Sequence, residues 1–385
     1  MLFYSSKISD KNIKKVFDTD QIILVFLSKN NVYLHFKCIV ISMKPKTLTI
    51  IAIVLSTVMM ACAQGGKKEA VIAFYNLENL FDTEDDPLTN DADFLPDGSN
   101  HWTQERYQKK LENMSSVISL IGKENGGVVV LGVSEIENRK VLEDLVATEK
   151  LKPLNLGVAH HDSPDRRGVD VAFLYSKDRF KVLDTRAFPV ITDDTSFRTR
   201  DHFLMTGIID NTDTVHCIVM HWPSKSGGEQ RSMPKRIAAA EAARRIADSL
   251  FAADIDADII FMGDFNDNPT AKSVKEYMHP QVKIKNVHRG ELYNPMWKMF
   301  QDGIGTYAYR DNWDVIDQMI ISYNLIDHVR ADSYQYVTTK VFRRSFMINQ
   351  SGSYAGYPFR TFAGGAFQGG YSDHFPVYII FQKNN

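Results

Sequence analysis

A chain of 385 residues, 44% hydrophobic and 24% charged, can bury a large core, which excludes a disordered or fibrous polymer and leaves one large domain or two small ones. Its net charge of −2, from 45 basic and 47 acidic residues, excludes a global positive field for nucleic acid or anionic membrane, so a polyanion must be met by a local cluster. The three cysteines, Cys38, Cys62 and Cys217, exclude a disulfide framework, and Cys217 inside VHCIVM reads as a plain buried thiol.

In chain order, residues 1–42 read as an upstream extension, because a complete export signal begins only at Met43. Lys44 and Lys46 form its basic region, and Leu48 to Met60 is an apolar stretch too short for a comfortable membrane span. Residues 43–63 are therefore expected to be a signal peptide. Two exits compete: Met59-Met60-Ala61-Cys62 is an imperfect lipobox that would place a lipid anchor on Cys62, whereas Ala61-Cys62-Ala63 suits cleavage before Gln64. The lipoprotein exit is favoured, giving a periplasmic or outer-surface protein, with a secreted soluble form as the alternative.

From residue 70 to 385 no linker or repeat interrupts the pattern, which predicts one domain. Short β-branched or aromatic runs predict strands at 71–76, 127–133, 169–175, 203–209, 214–220, 257–263, 315–321 and 375–381. Helical spacing of Tyr107, Leu111, Met114, Ile118 and Ile121 predicts a helix from Thr103 to Ile121. A second is expected from Pro234 to Leu250, with the proline near its first turn and Ile237, Ile246 and Leu250 on one side. Because most strand runs are apolar throughout, the expected architecture is two sheets packed face to face with helices on both outer faces. Functional side chains would then gather at one end, on the loops leaving the strands.

Polar islands end several of these runs. Asn76 in FYNLEN and Glu135 in GVSEIEN sit at strand exits, although alone they read more often as a turn or cap residue and a solvated acid. Asp264 and Asn266 in GDFN are spaced i, i+2, so both oxygen-bearing side chains face one side. His221, after TVHCIVM, and His374, beside Asp373, supply two imidazoles that can exchange protons near neutral pH. Asp317 is costly to bury within its strand unless it orients a histidine, and Asp170 is the matching candidate for the other ring. Arg200, with Arg166, Arg167 and Arg198, offers guanidinium forks for phosphate. The cluster Lys225, Arg231, Lys235 and Arg236 lies close to a site motif, and the glycine-rich aromatic stretch Ser353–Tyr371 leads straight into Ser372.

Taken in order, FYNLEN, SEIEN, RGVDVAFLY, RTRD, HWPSK, GDFN, IDQMIIS and SDHFPV resemble the motif set of the endonuclease/exonuclease/phosphatase superfamily. The HWPSKSGG stretch departs from the usual nuclease form and is closer to a bacterial secreted branch. The resemblance implies a four-layered α/β sandwich of two mainly antiparallel sheets and Mg²⁺- or Mn²⁺-dependent hydrolysis of a phosphoester. It assigns Glu135, Asn76 and Asp373 to the metal, Arg200, Asn266 and His221 to substrate phosphate, and His374, Asp317, Asp264, Asn266 and His221 to catalysis. In this scheme His374, oriented by Asp317, is the base, Asp264 positions the water and His221 stands by the leaving group. Nucleic acid is the expected substrate and partner of a monomeric enzyme. Phospholipid or sugar and inositol phosphate esters are the enzymatic alternative, and an inactive surface-binding module is the other.

Overall fold

The computed structural model describes residues 21–30, 33–42, 67–328 and 332–384. The chain divides into two units, Met1–Gly66 and Lys67–Asn385. In the first, β1 (Gln21–Asn30) and β2 (Tyr33–Ser42) pair antiparallel, Gln21 opposite Ser42. The expected signal at 43–63 lies outside the described residues.

The second unit opens with β3 (Lys67–Leu80), α1 (Gln104–Ile118), β4 (Val128–Ile136) and α2 (Arg139–Val146). It continues through β5 (Leu156–His160), β6 (Asp170–Ser176), β7 (Phe180–Phe188), β8 (His202–Ile209) and β9 (Asp213–His221). Next come α3 (Glu229–Ala253), β10 (Asp258–Asp264), β11 (Leu292–Tyr293), α4 (Met296–Gln301), β12 (Tyr307–Tyr309), β13 (Asn312–Asp314) and β14 (Asp317–Ser322). The last strands are β15 (Gln335–Val341), the short pair β16 (Phe362–Ala363) and β17 (Ala366–Phe367), and β18 (Val377–Asn384).

Two six-stranded sheets form, in the orders β11-β14-β10-β9-β8-β7 and β15-β18-β3-β4-β6-β5. Each is antiparallel except for one central parallel pair, β9 with β10 and β3 with β4. The expected sandwich is what forms, because alternate residues of the central strands enter different cores. Ile72 and Phe74 of β3 join Val219, Ile260 and Met262 between the sheets, while Val71 and Ala73 pack outward with Leu111 and Met114 of α1 and Val141 of α2. On the opposite face Ile218, Met220, Ile259 and Phe261 meet α3. Three cores between four layers account for apolar runs that do not alternate: both faces of each central strand are covered. At Gly132 the sheets come so close that a Cβ would sit 2.6 Å from the Met262 sulfur, so no larger residue fits.

The eight runs expected as strands are the eight central ones, whereas β5, β7, β11 and β15, the edges of the two sheets, carry no apolar run. The second helix also differs from expectation. It starts at Glu229, a turn earlier than expected, so Pro234 lies inside it, and its buried face is an alanine stripe, Ala239, Ala240, Ala243 and Ala247, with Ile246 and Phe251. Gly227 and Gly228, both at positive φ, end the preceding loop and let the helix begin upstream of the proline. Small residues seat this helix close to its sheet, with Ile237 only partly buried.

Candidate active site

The C-terminal ends of both parallel pairs lie at one end of the sandwich. In the first sheet three neighbouring strands set a row of side chains by register: Asp264, the last residue of β10, pairs with His221, the last of β9, and with Asp317, the first of β14. Gly263, just before Asp264, is required by close approach, since a Cβ there would lie 2.0 Å from the Met220 carbonyl oxygen. Beyond the strand, Asn266 adopts φ +51, donates its amide side chain to the Trp222 carbonyl at 2.9 Å, and donates its backbone N–H to Asp264 Oδ1 at 2.8 Å.

The second sheet delivers its residues through irregularities. Between one paired position and the next, β3 advances from Asn76 to Leu80 while β4 advances only from Ser134 to Ile136. The surplus there is on β3, whose Glu78 and Asn79 are in the left-handed region; against β6, where Ser134 and Ile136 face the adjacent Val171 and Asp170, Glu135 is itself the extra residue of a bulge, at φ +57. Glu135 Oε2 accepts the Asn79 N–H at 3.1 Å, leaving Oε1 toward His221 Nε2 at 3.8 Å. Asn76 spans the sheets: its Nδ2 donates to Asp264 Oδ2 at 3.1 Å, and its Oδ1 accepts the Glu78 N–H at 2.9 Å. It is fully buried and holds Asp264 in place.

His374 closes the site. Its Nδ1 hydrogen-bonds Asp317 at 2.8 Å, its Nε2 faces Asp264 Oδ2 at 3.9 Å and Asp373 Oδ1 at 3.7 Å, and the Tyr307 ring covers it at 5.0 Å. Ser372 fixes the tripeptide by donating to the Asn76 carbonyl at 2.7 Å while accepting the His374 N–H. Glu135, Arg200, His221, Asp264, Asn266, Asp373 and His374 thus line one cleft of about 650 Å³.

Electrostatics separate the two imidazoles. Burial alone would lower both, but at His374 the carboxylates of Asp317, Asp373 and Asp264 outweigh it and hold the ring well above its ordinary value. At His221 burial is joined by Arg200, Arg167 and His374 itself, so this ring is pushed well down and stays neutral, its Nδ1 without a partner among the described residues. Burial, then the charge of Asp317, raises Asp264 above the usual carboxylate range despite the opposing His374.

The donor set suits a hard divalent cation. Ligand atoms of Glu135, His221 and Asp264 lie within 4.8 Å of one another. Neutral His221 and the free Oε1 of Glu135 are the chemistry such an ion needs. Asp373 faces the same cleft but gives Oδ2 to Arg360 at 2.6 Å.

Asp170 is a correction. It does not orient His221; its Oδ2 binds His160 Nε2 at 2.9 Å and its Oδ1 accepts the Ser163 N–H. It opens β6 opposite Ile136, on the far side of the Glu135 bulge, and so reaches the neighbouring edge strand instead. Arg236 likewise cannot meet substrate: it is fully buried against Asp267 at 2.7 Å and also binds Glu229. Arg200 donates to the His221 and Trp222 carbonyls and to Asp165, so it braces the HWP turn while lining the cleft. Arg166 and Arg198 bind backbone carbonyls of residues 195–197.

Sequence reasoning missed a second layer. Glu78 accepts from Arg360 and from the Thr361 N–H, and Lys110, buried in α1, reaches the Thr361 hydroxyl and the Tyr371 carbonyl, both at 2.6 Å. Together they pin the loop that delivers Asp373 and His374. The FYNLEN motif contains Glu78, but the hydrogen-bond partners of its side chain lie 282 residues away or more in sequence, out of reach of local pattern. The loop itself lines a second cleft of about 600 Å³, which shares Tyr309 and Asp373 with the first.

Several solved structures align with most of the chain. Crystal structures of an endonuclease/exonuclease/phosphatase family protein of Bacteroides thetaiotaomicron (17% identity, TM-score 0.48) and of D. rerio TDP2 carrying humanizing mutations (12%, TM-score 0.50) cover 82% and 81% of this chain and 98% of their own. The mannosyl-6-phosphatase of Bacteroides thetaiotaomicron aligns at 16% identity over 81% of this chain and 99% of its own, with a TM-score of 0.47. No curated protein matches the chain significantly. Residues 71–383, however, match the sequence profile of the Endonuclease/Exonuclease/phosphatase family from end to end of the sandwich, and the chain therefore belongs to that family of metal-dependent phosphoester hydrolases.

Proposed function

We propose that the protein is a Mg²⁺- or Mn²⁺-dependent phosphodiesterase whose favoured substrate is nucleic acid. The observation that carries this reading is the row His221–Asp264–Asp317 closed by His374, with Glu135 set beside it in one cleft. Glu135, with Asp264 and Asp373, would hold the cation, whose charge would offset that developing on the phosphoryl oxygens.

The remaining steps belong to side chains. Asp317 fixes the His374 tautomer by accepting from Nδ1, so Nε2 faces the cleft and can take a proton from a water held against Asp264. Asp317 then stabilises the imidazolium. Asn266 and Arg200 donate to phosphoryl oxygens, and His221 stands at the leaving oxygen. No covalent intermediate is required. For nucleic acid, support comes from Tyr309 and Tyr354 on the second cleft, 54% and 57% exposed, whose faces can stack on bases. The same faces would accept a sugar ring, which makes a sugar-phosphate ester the second reading.

The test is hydrolysis of bis-p-nitrophenyl phosphate, with and without EDTA, followed by plasmid, single-stranded DNA, RNA, sphingomyelin and inositol phosphates. Activity that survives EDTA, or full activity in His374→Ala, would sink the proposal. Export remains part of it, and among the described residues no helix is long and apolar enough to cross a membrane. The mass of the mature N-terminus decides between a lipidated Cys62 and cleavage before Gln64.

A further inference from the structure

Adjoining the catalytic cleft lies a pocket of about 340 Å³ that shares no lining residue with the cleft of the aromatic loop. Arg198, Arg200, Arg231 and Lys235 line it against one acid, Asp165, which is already paired with Arg200 at 2.9 Å. Among the described residues no carboxylate lies within bridging distance of Arg198, Arg231 or Lys235, although Asp194, held below its usual range first by its hydrogen bonds from Ser196, also feels the Lys235 charge. Lys235 is nevertheless placed: its ammonium sits 3.9 Å over the Phe197 ring, which also lines the pocket. The first turn of the 25-residue α3 has no side-chain cap, and Gly227, Arg231 and Ser232 of that turn and the loop before it face the same space. Thr199, 4% exposed, contributes a hydroxyl that finds no partner among the described residues. Arg200, Ser224 and Ser226 line both this pocket and the catalytic cleft, so the two are continuous.

A solvated charge run would scatter such cations over a convex surface. Here they converge on a concavity that adjoins the catalytic cleft and is lined by the hydroxyl residues Thr199, Ser224, Ser226 and Ser232, a donor type that phosphate uses. We propose that this pocket binds a second phosphoryl group of the substrate, one not cleaved. The inference rests on the phosphodiesterase reading and deepens it: the substrate carries at least two phosphates, either neighbours along a nucleic-acid backbone or two esters on one sugar.

The experiment compares kcat/KM with Mg²⁺ for bis-p-nitrophenyl phosphate, thymidine 3′-(p-nitrophenyl phosphate), its 5′-phosphorylated form, and glucose 1-phosphate against glucose 1,6-bisphosphate. The expected result is a gain of about tenfold or more from the added phosphate, removed in Arg231→Gln/Lys235→Gln, while bis-p-nitrophenyl phosphate is cleaved at the wild-type rate. A gain on the thymidine ester identifies the backbone source and a gain on glucose the sugar source. If bis-p-nitrophenyl phosphate is cleaved but neither gain appears, or the double variant keeps it, the pocket assignment is overturned and the phosphodiesterase reading stands. If no ester is cleaved, that reading fails, and the pocket is judged by inorganic phosphate in EDTA. A rise in melting midpoint that the double variant lacks supports it, and equal rises overturn it.

Discussion

The two sheets equip the cleft in opposite ways. In the sheet built on β9, β10 and β14, function is a matter of register: His221, Asp264 and Asp317 occupy paired positions of an undistorted ladder. The sheet built on β3 and β4 breaks its ladder to aim Glu135 and leaves three non-glycine residues, Glu78, Asn79 and Glu135, at positive φ. Each such residue costs about 1–2 kcal/mol. A regular ladder positions protein groups that bind one another, as Asp264 does Asn76 and Asp317 does His374. Strain is spent where Glu135 must leave the ladder to face the cleft.

The largest effects are expected in the regular row. His374→Ala and Asp264→Asn should each lower kcat by about 10²–10⁴-fold with an unchanged circular dichroism spectrum, because register rather than these side chains holds the strands. Loss of the folded spectrum would show that the row is structural.

Next is the strained residue. Glu135→Gln and Glu135→Gly should both cost about 10²-fold or more in activity and abolish Mg²⁺ stabilisation in thermal melts. Only the glycine variant should keep or raise the metal-free melting midpoint, since it adopts φ +57 without penalty. A lower midpoint for glycine would break the contrast between the sheets.

Asp317→Asn sharpens it through pH. Because His374 is held well above its ordinary value, its free base forms only as pH rises through that folded value, and kcat/KM should climb there. The pair also contributes stability that is complete below about pH 6.5 and fades as pH passes the folded value. With Asn at 317 the climb should move to lower pH, its plateau should fall by about tenfold, and the urea midpoint should lose this pH dependence. An unmoved profile would assign the titration elsewhere.

The smallest effect is expected for Asp170→Asn. Its partner is His160, so activity should change by less than about threefold, while stability falls by about 1 kcal/mol from the weakened buried hydrogen bond. A large loss of activity would tie the β6 edge to the Glu135 bulge.

What the sequence made legible follows the same division. Central strands are covered on both faces, so each appeared as an apolar run, whereas β7, with Asp184, Thr185 and Arg186 exposed, has one wet face and an open edge that erase the signal. His221, Asp264, Asp317 and His374 were readable because each interrupts an apolar run at its end. That Asp317 orients a histidine followed from the cost of burying an unpaired acid, and the choice of His374 from the family resemblance. That argument failed for Asp170, since it names the need for a partner and not which histidine the edge strand brings. The Glu78–Arg360–Asp373 chain was invisible because it joins positions nearly the length of the domain apart. Arg236 resembled a substrate cation until packing placed Asp267 beside it.

Lys110 carries a further consequence, for measurement. Burial lowers its amine to about 8, so near that pH much of it is unprotonated and nucleophilic, yet the Thr361 hydroxyl and the Tyr371 carbonyl seal it beneath the loop. Its rate of acylation by a small electrophile, against that of exposed Lys109, is therefore a clock for how often the segment carrying Asp373 and His374 lifts from the domain.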